Sequence, residues 1–338
     1  MQNEEPQLLV GVSVGSHSMH AIVVREDANG RLRLLGEDRN RHVEQKPDER
    51  TLVRRVQENI REAIEDAHVN LTDILTIGIA APGQIDSDNG MVLFSPLFDM
   101  KEQPFPLVVR LHEYFPIDHI TLINNDDAQG IGEQRIGIGE QIKDIVYLRI
   151  GYNIGASIII DHKLYMGADN LAGAFGHMIV DLDGPECSCG NRGCLGVMVS
   201  REAIAKNILH RYRKGEQTCL ERQLNEELLD INSAVLAEAI DQEDRLACQV
   251  VEEAARILGV GIANIINFLN PHRVILGGDL VEDIDLYFEK AVGTARELSL
   301  MASKRNVSIV RGLLGTTAGA YGAAVFAKER LLQKRELQ

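Results

Sequence analysis

The same order of elements is written twice along this chain. Residues 8–14 (LLVGVSV) read as a buried strand, 19–25 (MHAIVVR) as a second and 31–36 (RLRLLG) as a third. Leu52, Val53, Val56, Ile60, Ala63, Ile64 and Ala67 then recur at helical spacing, which predicts an amphipathic helix over 48–68. ILTIGIAAPG (74–83) is a strand running into a Pro-Gly turn. Later, 144–151 (DIVYLRIG), 156–161 (ASIIID) and 163–167 (KLYMG) read as three more strands. A long helix over 243–269 follows, carrying Val250, Val251, Ala254, Ala255, Leu258, Ile262, Ile265 and Ile266, and then the strand RVILGG at 273–278. The order repeats without evident sequence identity, so what the two segments share is a plan in which helix and sheet bury one another's apolar faces.

A duplicated β-β-β-α-β unit is the plan of the α/β actin-like fold, also called ribonuclease-H-like or hexokinase-type. In that fold a ligand lies in the cleft between the halves. The expected partition is an N-terminal domain of residues 1–127 plus about 322–338, and a C-terminal domain of 128–321. The length of 338 residues is enough for two cores.

The composition excludes several partners. A net charge of −15 repels phosphate backbones, and only short basic clusters such as Arg211–Lys214 interrupt it, so no nucleic acid is expected to bind through this chain. No apolar run is long enough to span a bilayer, and MQNEEPQ has no signal-type core. Five cysteines are too few for a disulfide scaffold, which fits a cytoplasmic protein. Three of them, Cys187, Cys189 and Cys194, fall within eight residues, with His177 ten residues before the first. One imidazole and three thiolates suit a tetrahedral zinc ion with no open position for water, hence a structural one. Gly190 and Gly193 let the loop curl. Cys219 and Cys248 have no evident partner.

LAGAFGHMIVDLDGPECSCGNRGCLG (171–196) resembles the signature of the ROK family, a group of bacterial sugar kinases and sugar-responsive repressors. GIAAPGQID (78–86), NPHRVILGGDL (270–280) and AGAYGAA (318–324) resemble three further family segments, so the likeness spans nearly the whole chain. The resemblance implies the actin-like fold, the His-Cys-Cys-Cys zinc site, and a homodimer or homotetramer. It places Gly83, Asn124, Asn125, Asp126 and His177 on the ligand side, and Ser13, Gly15, Gly155, Gly277 and Gly278 on a degenerate nucleotide side.

The departures from the family pattern concern chemistry. The kinases' D-x-G-G-T reads Ser13-Val14-Gly15-Ser16-His17, so a magnesium-binding carboxylate becomes a neutral hydroxyl. Their second phosphate loop, resembling GTG-x-G-A-G, reads Gly151-Tyr152-Asn153-Ile154-Gly155-Ala156-Ser157; the Asn-Ile-Gly-Ala run looks more like the non-kinase branch. The base, eight residues before a Glu, becomes Asn125 when counted back from Glu133. An amide cannot take a hydroxyl proton, and general-base help is worth roughly 10²–10⁴ in rate. A register slip of one would give the role to Asp126. Two sugar-binding carboxylates become Ala174 and Gly196, and Leu97 replaces another expected contact ahead of Asp99 and Met100. A buried hydroxyl left unpaired costs about 1–3 kcal/mol.

These residues support three readings. The first is a non-catalytic protein that senses a carbohydrate or acts in regulation. The second is an ATP-dependent, glucokinase-like sugar kinase with Asp126 as base and Mg-ATP as cosubstrate. The third is a repressor, which needs a helix-turn-helix that the seven residues before LLVGVSV do not encode. His17 is a further candidate phosphate contact.

Overall fold

The computed structural model describes residues 7–15, 18–40, 46–101, 103–224, 231–301 and 306–336. Ser16 and His17 therefore lie outside the described residues. The chain folds as two compact units. Unit 1 is 1–142, 157–172 and 313–338; unit 2 is 143–156 and 173–312.

Unit 1 opens with β1 (Gln7–Val14), β2 (Met19–Glu26) and β3 (Leu32–Asn40), an antiparallel meander. Helix α1 (Glu49–Asp66) follows, started by Asp48, whose carboxylate accepts Thr51 N at 2.8 Å. Its buried stripe of Leu52, Val53, Val56, Ile60, Ala63 and Ile64 is the predicted one. Strand β4 (Ile74–Ala81) pairs parallel to β1. A hairpin of β5 (Gln84–Asp86) and β6 (Met91–Phe94), the short α2 (Leu107–His112), β7 (Ile120–Asn124) and α3 (Asn125–Arg135) complete the run. The sheet order is β3-β2-β1-β4-β7.

The second sheet uses β8 (Ile145–Ile150), β9 (Ile154–Ile160), β10 (Lys163–Leu164), β11 (Arg273–Gly277) and β12 (Ser308–Arg311), in the order β10-β9-β8-β11-β12. Position by position, this is the order of the first sheet. Between β10 and β11 come the cysteine loop, α4 (Gly196–Val199), α5 (Arg201–Arg213), α6 (Ser233–Asp241) and α7 (Arg245–Leu269). Helix α7 is capped by the Asp244 carboxylate on Ala247 N and ends at Asn270, whose φ of 48° suits a C-terminal cap ahead of Pro271. Helices α8 (Asp279–Asp283) and α9 (Asp285–Leu298) follow β11, and α10 (Ala318–Glu336) is the last described helix.

The fold is the actin-like one, with one correction to the repeat. Each half adds a fifth strand, β7 or β12, to the expected β-β-β-α-β unit. ITLIN and SIVR are too short to carry a period of their own. The partition also differs from the expected one. A boundary at 127/128 would cut α3, which belongs whole to unit 1, and the division comes at 142/143. The returning segment starts at Leu313 rather than 322, because Leu313 N and Leu314 N both donate to the buried Glu133 carboxylate of α3.

Helix α10 packs without side-chain spacers. A Cβ on Gly11 of β1 would sit 1.9 Å from Ala320 O, and one on Gly322 would sit 1.7 Å from Ala128 O of α3. Backbone-to-backbone packing of this kind fixes where β1 and α3 present their ends, and those ends carry the candidate ligand residues of unit 1.

Candidate metal centre and ligand site

The cysteine loop folds on short backbone bonds. Cys187 N donates to Asn191 O at 2.8 Å and Gly190 N to Cys187 O at 2.9 Å, while Gly193 N donates to Pro185 O at 2.8 Å. Val180 N reaches Gly193 O at 2.9 Å and Leu195 N reaches Met178 O at 2.8 Å, which joins the loop to the segment after His177. Gly193 has φ 63°, and a Cβ there would lie 1.5 Å from Asp181 O, so only glycine fits.

This folding brings His177, Cys187, Cys189 and Cys194 together, with ligand atoms all within 4.8 Å of one another. His177 Nδ1 is 3.6 Å from Cys187 Sγ, and Cys189 Sγ is 3.6 Å from Cys194 Sγ. The sulfur–sulfur separation is far too long for a disulfide and close to the edge of a tetrahedron with Zn–S bonds of about 2.3 Å, which is about 3.8 Å. The backbone amide of Asn191 brings the Cys189 thiol down to about 6, while burial pushes Cys194 up to about 12. A cation among the sulfurs would hold both as thiolates. The four donors fit a structural zinc site, and as a closed set they leave no position for a reacting water.

On unit 1, β7 ends and α3 begins at Asn124 and Asn125. Asn124 is the helix cap: its Oδ1 accepts Asp126 N at 2.7 Å and its Nδ2 donates to Gly83 O at 2.8 Å. Gly83 has φ 112°, and a Cβ there would lie 2.2 Å from Phe94 O. Asn125 Nδ2 donates to Val14 O at 2.6 Å, at the end of β1. Four predicted ligand residues thus meet at one place: Gly83, Asn124, Asn125 and Asp126. Next to them, Asp127 is 5% exposed. Burial raises its pKa well above the ordinary carboxylate value and the neighbouring Asp126 adds to the rise, while the Ser157 hydroxyl beside it opposes it.

Ser13 lies in β1 with Oγ 2.6 Å from where a Gly319 Cβ would sit, so its hydroxyl faces the start of α10. Gly15 N donates to Ser18 O at 2.8 Å. In unit 2 the expected phosphate loop 151–157 is shorter than predicted: only Gly151–Asn153 form a turn, and Gly155 is a buried residue of β9. Gly277 ends β11, and Gly278 has φ 101° with its Cβ direction blocked by Ile150 O at 2.3 Å. Ala174 and Gly196 both lie near the metal ligands; Ala174 O accepts His177 N at 3.0 Å, and a Cβ on Gly196 would meet Gly176 O at 3.2 Å.

Sequence reasoning missed the ion pair of Arg201 with Asp279, in which the Arg201 guanidinium also lies 5.8 Å from the Tyr152 ring centroid. The pair is 78 residues apart, so no local pattern signals it. It also missed the role of Glu133, which served only to count back to Asn125.

Known proteins resemble the chain along nearly its full length. It is 29% identical over 316 residues to the xylose repressor of Caldicellulosiruptor bescii, a match covering 91% of this chain and 74% of that protein. It is 29% identical over 326 residues to the glucokinase of Thermotoga maritima, covering 96% of this chain and 98% of that one. Among solved structures, a ROK family glucokinase from Streptomyces griseus in complex with glucose and AMPPNP matches with a TM-score of 0.79 at 27% identity, covering 95% of this chain and 99% of that one. The ROK family model matches residues 9–330, and the chain belongs to the ROK family.

Proposed function

We propose that this ROK protein is a non-catalytic regulator that responds to a carbohydrate. Relatives include both a repressor and a kinase, so membership of the family leaves the choice to the site. The observation that carries the reading is Asn125. It stands at the first position of α3 and holds Val14 O through its amide nitrogen at 2.6 Å. A carboxylate in that pose would face a carbonyl oxygen and could not make this bond. The amide locks the β1 end to the α3 start, and it cannot accept a sugar's hydroxyl proton.

The missing carboxylates support the same reading. Ala174 and Gly196 supply no acceptor for sugar hydroxyls, which leaves Asn124, Asn125 and Asp126 as the polar groups for a bound sugar. Zinc at His177, Cys187, Cys189 and Cys194 would brace its own loop in unit 2, with no part in a reaction. Assembly as a homodimer or homotetramer in the cytoplasm, with no nucleic acid bound through this chain, completes the proposal. Among the described residues no helix is long and apolar enough to cross a membrane.

The test is a coupled assay of ADP release across glucose, mannose, fructose, xylose and N-acetylated amino sugars, run beside a thermal-shift screen of the same sugars. The expected result is a sugar that raises the melting temperature without turnover. Turnover near one per second that vanishes in Asp126→Asn overturns the reading and makes Asp126 the base.

A further inference from the structure

Strands β8 and β11 run parallel and adjacent, and β11 ends at Gly277, opposite Arg149 in the register, with Gly151 following β8. Ligands of open α/β sheets bind outside the carboxyl ends of such strands. In this protein a side chain already fills that position. Asp279 Oδ1 lies 2.6 Å from the point a Gly151 Cβ would occupy, so the carboxylate rests against the bare face of Gly151. Its Oδ2 pairs with the Arg201 guanidinium. Arg201 is held in place from its own backbone, where its N–H donates to Gly151 O at 3.0 Å. The guanidinium lies over Tyr152, a residue 42% exposed.

The arrangement has the parts of an anion site: a glycine whose bare face meets a carboxylate oxygen, a guanidinium paired with that carboxylate, and an aromatic ring beside it. The anion present is the protein's own. We propose that Asp279 is an internal stand-in for the phosphate of a nucleoside phosphate, which closes a site formed by Gly151, Arg201 and Tyr152. A nucleoside phosphate is the class that uses all three, with phosphate on Arg201 and a ring on the exposed Tyr152 face. The carboxylate excludes it both by occupying the guanidinium and by like-charge repulsion. Side-chain exposures of 20% for Arg201 and 32% for Asp279 leave the pair in reach of solvent, so it acts as a latch rather than a buried core pair. The proposal deepens the non-catalytic reading, on which it rests, by naming what keeps nucleotide out.

The test is calorimetric titration of ADP, and separately of pyrophosphate, into the wild-type protein, Asp279→Ser, and Asp279→Ser combined with Arg201→Gln. Serine is small and uncharged, and the N-cap of α8 is Gly278, so the substitution leaves the cap residue in place. The wild type should show no saturation at millimolar ADP. Asp279→Ser should bind ADP at least tenfold more tightly, with a smaller gain for pyrophosphate, which cannot use the Tyr152 ring. The double variant should lose the gain. Micromolar ADP binding by the wild type overturns the proposal and needs no variant to be seen. So does an Asp279→Ser protein of unchanged melting temperature that gains nothing, or a double variant that keeps the gain. Sugar turnover by Asp279→Ser would overturn the non-catalytic reading while leaving the latch intact, so the two failures are distinct.

Discussion

Three backbone amides converge on the Glu133 carboxylate: Leu313 N and Leu314 N on Oε1 at 2.8 and 2.7 Å, and Ile138 N on Oε2 at 3.2 Å. The Glu133 residue itself is 1% exposed, so its carboxylate oxygens are turned inward onto these amides. An amide that loses its acceptor where water cannot replace it costs about 1–3 kcal/mol, so Glu133→Ala should lose on the order of 1–3 kcal/mol in urea unfolding, and Glu133→Gln should lose less because its amide oxygen still accepts. Asp127 makes the opposite case, a buried carboxyl without such donors. Its folded pKa is raised above the ordinary 3.8 by burial first and by Asp126 second. A carboxyl of that kind holds its proton more tightly folded than unfolded. Its contribution is therefore full below pH 3.8 and is lost as pH rises through the raised folded value. Asp127→Asn removes the titration and keeps the size of the side chain. Melting curves should show the variant stabilised by on the order of 1 kcal/mol at pH 8, with the gain gone at pH 4. A gain that is equal at both pH values would mean that charge at Asp127 is not its cause.

At the scale of elements, the glycines decide how closely things pack. Helix α10 meets α3 with Gly322 against Ala128 O, and a Cβ at 1.7 Å from that oxygen cannot be absorbed by a rotamer change. Gly322→Ala should therefore cost more than the usual 1–3 kcal/mol of overpacking and show as a lowered melting temperature or loss of soluble protein. The same logic marks the legible part of the sequence. Strands β1, β2, β4 and β11 and helices α1 and α7 were readable to within a residue or two, because each carries its own apolar period and its own stop signal. The AGAYGAA run was legible only as a segment resembling one of the family's, and not as the piece that locks α3 to β1, since its partners lie in distant parts of the chain. At the site, the four metal ligands were legible because they fall within eighteen residues. The capping of Asn124 onto Gly83, the Asn125 bond to Val14 and the Arg201–Asp279 pair were not. Each joins segments between 41 and 111 residues apart, and only the fold brings them together.

For the molecule as a whole, the division into two units separates two cores. One runs from Val146 through Ile309 and lies within unit 2; the other runs from Leu8 through Leu122 and lies within unit 1. All four metal ligands belong to unit 2. The loop that carries them is poor in buried apolar residues between Val180 and Arg192, so its order would rest on the backbone bonds around Gly193 and on an ion held by the four donors. Cys194 differs from the other ligands: it is buried, bridged to Ile179, and followed by Leu195, which lies in the unit 2 core. Without an ion these thiols are held apart in pKa, with Cys194 pushed up by burial and Cys189 pulled down by the Asn191 amide. Loss of the ion should therefore start at the loop and spread through Cys194 into the unit 2 core. Hydrogen exchange after treatment with a zinc chelator should show protection lost first over 177–195 and then in α4 and the neighbouring part of α7, with β1, β4 and α1 unchanged. Cys189→Ser should reproduce the pattern without chelator. Uniform loss of protection across both units, or one zinc per chain absent from protein purified without chelator, would show that the loop is not a metal-braced part of unit 2.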